Sequence, residues 1–133
     1  MVSSSLLKTI LDELHTGGQT QIRLLGSLIT VKSCISDSKL WLSTVIYHGE
    51  NYIPDSVRSC LGAPPPVPHS RIPTFVTINE KKFQLTLNYL GIMPQHNPKE
   101  LNDVLEQFSW DAEEWRYFLD DLDRRDLIHV PKN

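Results

Sequence analysis

Glu113-Glu114 and Asp120-Asp121, inside WDAEEWRYFLDDLDRRDLIHV at 110–130, are the paired carboxylates of this sequence. Two carboxyls can work as general acid and base when they converge from the walls of a cleft. Adjacent residues of a helix point about 100° apart, so each pair spreads over a solvated face instead. The five histidines, His15, His48, His69, His96 and His129, stand singly near expected turns and element ends. That pattern gives surface imidazoles and no ligand set. Cys34 and Cys60 lie 26 residues apart with no second cysteine near either, which excludes a CxxC redox or zinc pair. No GxxxxGKS/T, GxGxxG, HExxH or GxSxG occurs. No cofactor and no metal is expected, and the residues point to a binding module rather than an enzyme.

Charge narrows the kind of partner. The net charge is −3, but residues 1–99 carry nine Lys/Arg against six Asp/Glu, and residues 100–126 carry three against ten. Such an acidic segment repels nucleic acid and favours basic partners. Lys81-Lys82 and Arg124-Arg125 are the only basic pairs, too few for a direct nucleic-acid interface. The apolar runs fall well short of the roughly 18 to 20 residues of a bilayer span. MVSSSLLKTILDELH lacks the basic start and continuous apolar core of a signal peptide, so no membrane partner is expected and the cytosol is the expected compartment.

At 133 residues the chain has the length of one domain with a single core. Leu6, Leu7, Ile10, Leu11 and Leu14 recur at helical spacing after the capping candidates Ser3, Ser4 and Ser5, and Gly17 and Gly18 stop the helix. IRLL and SLITV, broken at Gly26, and then LWLSTVIY after the turn SDSK read as three strands of an antiparallel meander. DSVRSCL at 55–61 suits two helical turns after an Asp cap. A proline-rich loop at about 62–73, containing APPPVPHSRIP, can neither continue a helix nor enter a central strand. TFVTI and FQLTLNYL form a hairpin around 79–82. In its second strand Phe83, Leu85, Leu87 and Tyr89 face one way and Gln84, Thr86 and Asn88 the other. Asn97-Pro98-Lys99-Glu100 starts a last helix. Leu101, Val104, Leu105, Phe108, Ala112, Trp115, Leu119 and Leu122 keep one stripe along it, with Trp110 and Tyr117 flanking. The class is α+β, an antiparallel sheet of about five strands with N-terminal and C-terminal helices packed on it.

Three segments carry a family resemblance: LWLSTVIYHGENYIP, TFVTINEKKFQLTLNYLG, and LNDVLEQFSWDAEEWRYFL with its Phe108, Ala112 and Trp115. With the element order, size and acidity, they make the chain similar to the class I type III secretion chaperones, the Tir-chaperone-like family. The resemblance implies an α-β-β-β-α-β-β-α order and a dimer that holds an extended segment of a secreted effector or gatekeeper protein. It covers most of the chain. The sequence departs from the pattern at DSVRSCL and the proline run, where the family builds most of its dimer contact, which makes a second secretion chaperone an expected partner.

Two surfaces follow as expectations. A groove on helix one and the first strands, with Leu7, Leu11, Leu28, Ile29 and Val31, would take the effector segment by strand addition and side-chain pockets. The helix end would offer Asp120, Asp121, Asp123, Arg124, Arg125 and Asp126, with Leu127 and Ile128 beyond the main stripe as an apolar anchor. The resemblance extends to a secretion chaperone regarded as binding RNA polymerase through its sigma factor and the flap of the beta subunit. A basic helix of a sigma factor is the electrostatic partner that such a helix end suits.

Overall fold

A computed structural model describes residues 4–15, 18–34, 38–59, 70–92 and 98–129. Its elements are α1 (Ser4–His15), β1 (Gln19–Leu24), β2 (Ser27–Cys34), β3 (Lys39–His48), α2 (Asp55–Ser59), β4 (Thr74–Asn79), β5 (Gln84–Ile92) and α3 (Pro98–His129). The five strands form one sheet in the order β1-β2-β3-β5-β4, antiparallel throughout. The α+β class and the element order expected from the sequence are those of the structure. Among the described residues no helix is long and apolar enough to cross a membrane. Both cysteine side chains, most of the proline-rich stretch and the cap Asn97 lie outside what is described.

Side-chain alternation sorts the sheet into two faces. Ile22 of β1, Ile29 and Val31 of β2, Leu40 and Leu42 of β3, and Leu85, Leu87 and Tyr89 of β5 are buried together with the helices. α1 lies on this inner face, where Ser33 Oγ donates to the Leu14 carbonyl at 2.6 Å. Its apolar stripe, Leu7, Ile10, Leu11 and Leu14, is buried there, and the helix closes when Gly18 N donates to the Glu13 carbonyl at 2.9 Å. A β-carbon at Gly18 would stand 2.8 Å from that oxygen, so the turn demands glycine.

α3 is the longest element, 32 residues or about 48 Å of helix. Leu101, Leu105, Phe108, Ala112, Trp115 and Leu119 are buried along it, and the rings of Trp115 and Phe118 meet edge to face at 6.1 Å. The expected stripe is the observed one. Asp111 is also buried. It accepts from Gln107 Nε2 at 2.9 Å and from Ser70 Oγ, which docks the segment entering β4 onto α3.

The β4–β5 connection departs in detail from its expectation. Phe83 is not the first residue of the strand but ends the turn, with a left-handed φ of 56°. Its carbonyl accepts from Gly49 N at 2.7 Å, while Asn79 Oδ1 accepts from the amides of Lys81 and Lys82, both at 3.1 Å. These bonds fix the turn, and Phe83 still packs its ring against the core. α2 is a single short helix. Val57 is buried, and Arg58 Nη1 and Nη2 donate to the Glu80 carboxylate across to the β4–β5 turn.

Two measurements test this arrangement. In urea unfolding Phe108→Ala should lose about 3 to 5 kcal/mol, whereas Trp110→Ala, two residues on but outward, should stay within about 0.5 kcal/mol of the parent. Comparable losses at the two sites would contradict the assigned faces. The hydrogen bond from Arg58 holds the Glu80 carboxyl below the ordinary glutamate range. With the folded pKa depressed, the pair contributes above the ordinary carboxylate pKa and is lost as pH falls through the folded value. Both side chains are exposed, so the readout is the local titration rather than global stability. NMR titration should find Glu80 deprotonating below the ordinary value, and Arg58→Gln should return it there.

Candidate functional site

With both long helices on the inner face, the outer face of the sheet has no helix over it among the described elements. The register places Lys32 opposite Trp41 and Trp41 opposite Leu90, Thr30 opposite Ser43 and Ser43 opposite Asn88, and Asn88 opposite Phe75. Leu28, Trp41, Val45, Phe75 and Leu90 each expose between 43% and 48% of their surface here. Five half-exposed large apolar side chains on one sheet face are a surface built for contact.

Polar groups hold this face in shape. Asn88 is buried although it lies on the outer side, because the Trp41 indole covers it. Trp41 Nε1 donates to Asn88 Oδ1 at 3.3 Å, and Asn88 Nδ2 donates to Thr77 Oγ1 at 3.0 Å and to the Thr86 carbonyl at 3.1 Å. The amide is thereby satisfied on both ends. Lys32 Nζ sits 5.6 Å from the centre of the Trp41 ring and leaves a positive charge at the border of the apolar area. Toward β1 the face opens into a recess of about 420 Å³ lined by Gln21, Leu28, Thr30, Ser43, Val45 and Thr86 among others. Hydroxyl and amide groups there can donate and accept but present no nucleophile–base pair. Among the described residues no group of three or more His, Cys, Asp or Glu is placed to hold a metal ion.

The groove expected on helix one and the first strands is filled. Leu7, Leu11, Ile29 and Val31 all belong to the buried core, because α1 lies directly over the inner side of β1 and β2. Leu28 alone is exposed, on the opposite face. The physical reason is the strand period of two: Leu28 and Ile29 are consecutive and cannot share a face. Trp41, Val45, Phe75 and Leu90 were not among the expected residues. The signal of Trp41, Val45 and Leu90 lay in the sequence as large apolar residues out of phase with the buried alternation of LWLSTVIY and FQLTLNYL, and that of Phe75 in its alternation with Val76 in TFVTI.

At the acidic helix end, Asp120 is exposed and Asp121 half-buried on α3. The helix runs on to His129, but the side chains of Asp123, Arg124, Arg125, Asp126, Leu127 and Ile128 lie outside what is described. The structure therefore brings together Asp120 and Asp121 of that set and does not place the others.

No protein-family model and no curated protein sequence matches the chain. Solved structures do. A chain from the crystal structure of the ExsC–ExsE complex superposes with a TM-score of 0.63 at 15% identity, over 90% of this chain and 97% of that one. The likeness is one of fold. A chain from the structure of the HopA1–SchA chaperone–effector complex superposes with a TM-score of 0.59 at 17% identity, over 88% of this chain and 99% of that one. The match runs nearly end to end in both, so the five-stranded sheet with a helix at either end of the sequence is the shared architecture and not a local motif.

Proposed function

We propose that this protein is a non-enzymatic type III secretion chaperone of the bacterial cytoplasm. It binds a segment of a secreted effector or gatekeeper protein on the outer face of its sheet and keeps that protein competent for secretion. The observation that carries the reading is the uncovered row Leu28, Trp41, Val45, Phe75 and Leu90. The fold shared with a chain of a chaperone–effector complex supports it. An extended or helical effector segment laid across this row buries apolar surface on both sides, and that burial alone suffices to stop the segment collapsing on itself, with no nucleotide needed. The open edge of β4 is the natural place for a second subunit, either another copy or a second secretion chaperone, since α2 is a five-residue helix too short to build a broad contact of its own.

A second reading concerns the acidic helix. Asp120 stands exposed on α3, and the resemblance to a chlamydial chaperone regarded as binding RNA polymerase supports a partner there in the sigma factor and the beta subunit. The two roles use different faces and can coexist in one molecule.

The readings separate experimentally. Amino-terminal fragments of type III effectors co-expressed with this chain, alone or with a partner chaperone, should copurify. Val45→Lys with Leu90→Lys should weaken capture at least about tenfold, with an unchanged circular dichroism spectrum. Undiminished capture by that folded variant would remove the outer face from the mechanism. Reversing Asp120, Asp121 and Asp123 to Lys should abolish polymerase binding and leave effector capture intact. Equal loss of both in a folded protein would defeat the division between faces.

A further inference from the structure

A third surface lies where α3 passes the β1–β2 turn, next to the acidic helix end with which it shares Asp120. Asp103, Glu106, Trp110, Glu113, Tyr117 and Asp120 follow one another at spacings of three and four residues along the outward side of α3. Trp110 and Tyr117 are 61% and 66% exposed, the largest rings on the helix that the core does not use. Seven residues apart, they stand about 10 Å from each other along the axis. Between them stand the accessible acids Glu113 and Glu114, with Arg116 next to Tyr117, and Glu106 and Asp120 continue the stripe on either side. Most outward helix faces are polar throughout, so two aromatic rings at a heptad interval call for a covering partner.

The turn beside Tyr117 supplies a third apolar residue. Leu25 and Gly26 have φ of 47° and 78°, the two left-handed positions of a tight hairpin turn. Asn-Gly or Asp-Gly suits such a turn, and a leucine there is strained. Leu25 is nevertheless 49% exposed and contributes nothing to the core. It forms one wall of a recess of about 300 Å³ completed by Glu113, Arg116, Tyr117 and Asp120. Arg116 keeps that wall in place. Its Nη2 donates to the Leu25 carbonyl at 2.8 Å, and its Nη1 donates to Ser27 Oγ. Arg116 keeps its positive charge within the recess, so that one cation is bordered there by the two acids Glu113 and Asp120.

We infer that Trp110, Tyr117 and Leu25 form a docking surface for a basic amphipathic helix, one with an apolar stripe of heptad spacing flanked by Lys or Arg. The three-four spacing matches the seam along which two helices pack, which selects a helix over an extended strand. The acids interleaved with the rings select positive flanks. This surface is separate from Trp41 and Leu90 on the outer sheet face; it shares Asp120 with the acidic helix end and deepens the second reading by naming the partner's chemistry, while the peptide test does not depend on polymerase binding.

The probe is a synthetic helix with Leu at its heptad seam positions and Lys elsewhere, titrated into the full chain by NMR and calorimetry, with a Leu/Glu counterpart as control. The expected footprint covers Leu25, Trp110, Glu113 and Tyr117, and the Leu/Glu peptide should not bind. Leu25→Asn keeps every charge and relieves the turn. It should raise the thermal midpoint by roughly 2 to 5 °C and weaken the Leu/Lys helix by about tenfold. Tyr117→Ala should weaken it similarly, and Glu113→Lys should reduce the salt dependence of binding. A footprint on Trp41 and Leu90, equal binding of the Leu/Glu peptide, or parental affinity in both Leu25→Asn and Tyr117→Ala would each overturn the assignment.

Discussion

The packing of α3 against a single face of the sheet is the contact on which the rest of the molecule depends. Its stripe from Leu101 to Leu119 packs into one core with the inward residues of β2, β3 and β5, joined by the α1 stripe, Ile22, Ile53 and Val57. α1 is too short to be stable alone and takes its place beside α3 on the same side. With both helices committed to one face, the other face of the sheet has no helix over it among the described residues. The chain fills that face with half-exposed apolar residues instead of the charged residues that would make it inert to partners.

How the outer face keeps its shape without a helix over it is answered locally. Trp41 and Asn88 form a small polar-cored unit within the sheet itself, in which the indole shields an amide that is bonded on both its oxygen and its nitrogen. Such a unit is pre-organised: the ring is held before any ligand arrives, and less side-chain freedom is lost on binding. Lys32, stacked on the same ring, marks the border at which the apolar area gives way to the Gln- and Thr-rich side near β1.

Much of this was legible in the sequence. The α3 stripe, the α1 stripe, the meander and the later hairpin all follow from periodicity, because each element buries one face and the period reports which. The candidate groove failed for a reason that periodicity itself supplies. Leu7, Leu11, Ile29 and Val31 are apolar and adjacent in space, but adjacency in a core and availability on a surface give the same residue types, and only the parity of Leu28 against Ile29 distinguishes them. Trp41, Val45 and Leu90 are out of phase in their own strands, but that they share a face with Leu28 and Phe75 required the strand register, in which β3 pairs with β5 across the 35 residues between them. Leu25 required a backbone angle. No composition or spacing reveals that a leucine at 25 stands in the left-handed region.

The two edges of the sheet are protected to different degrees. β1, QTQIRL, is polar at alternate positions and carries Arg23, which discourages another strand from pairing with it. β4, TFVTIN, has no charged residue between Thr74 and Asn79, and Phe75 is exposed beside its unpaired backbone groups. Pro73 stands just before the strand begins, where it has no backbone donor to offer a further strand. An edge of that kind invites another strand whenever none is supplied. A strand laid along β4 would pair its outer backbone groups and cover Phe75 in one contact.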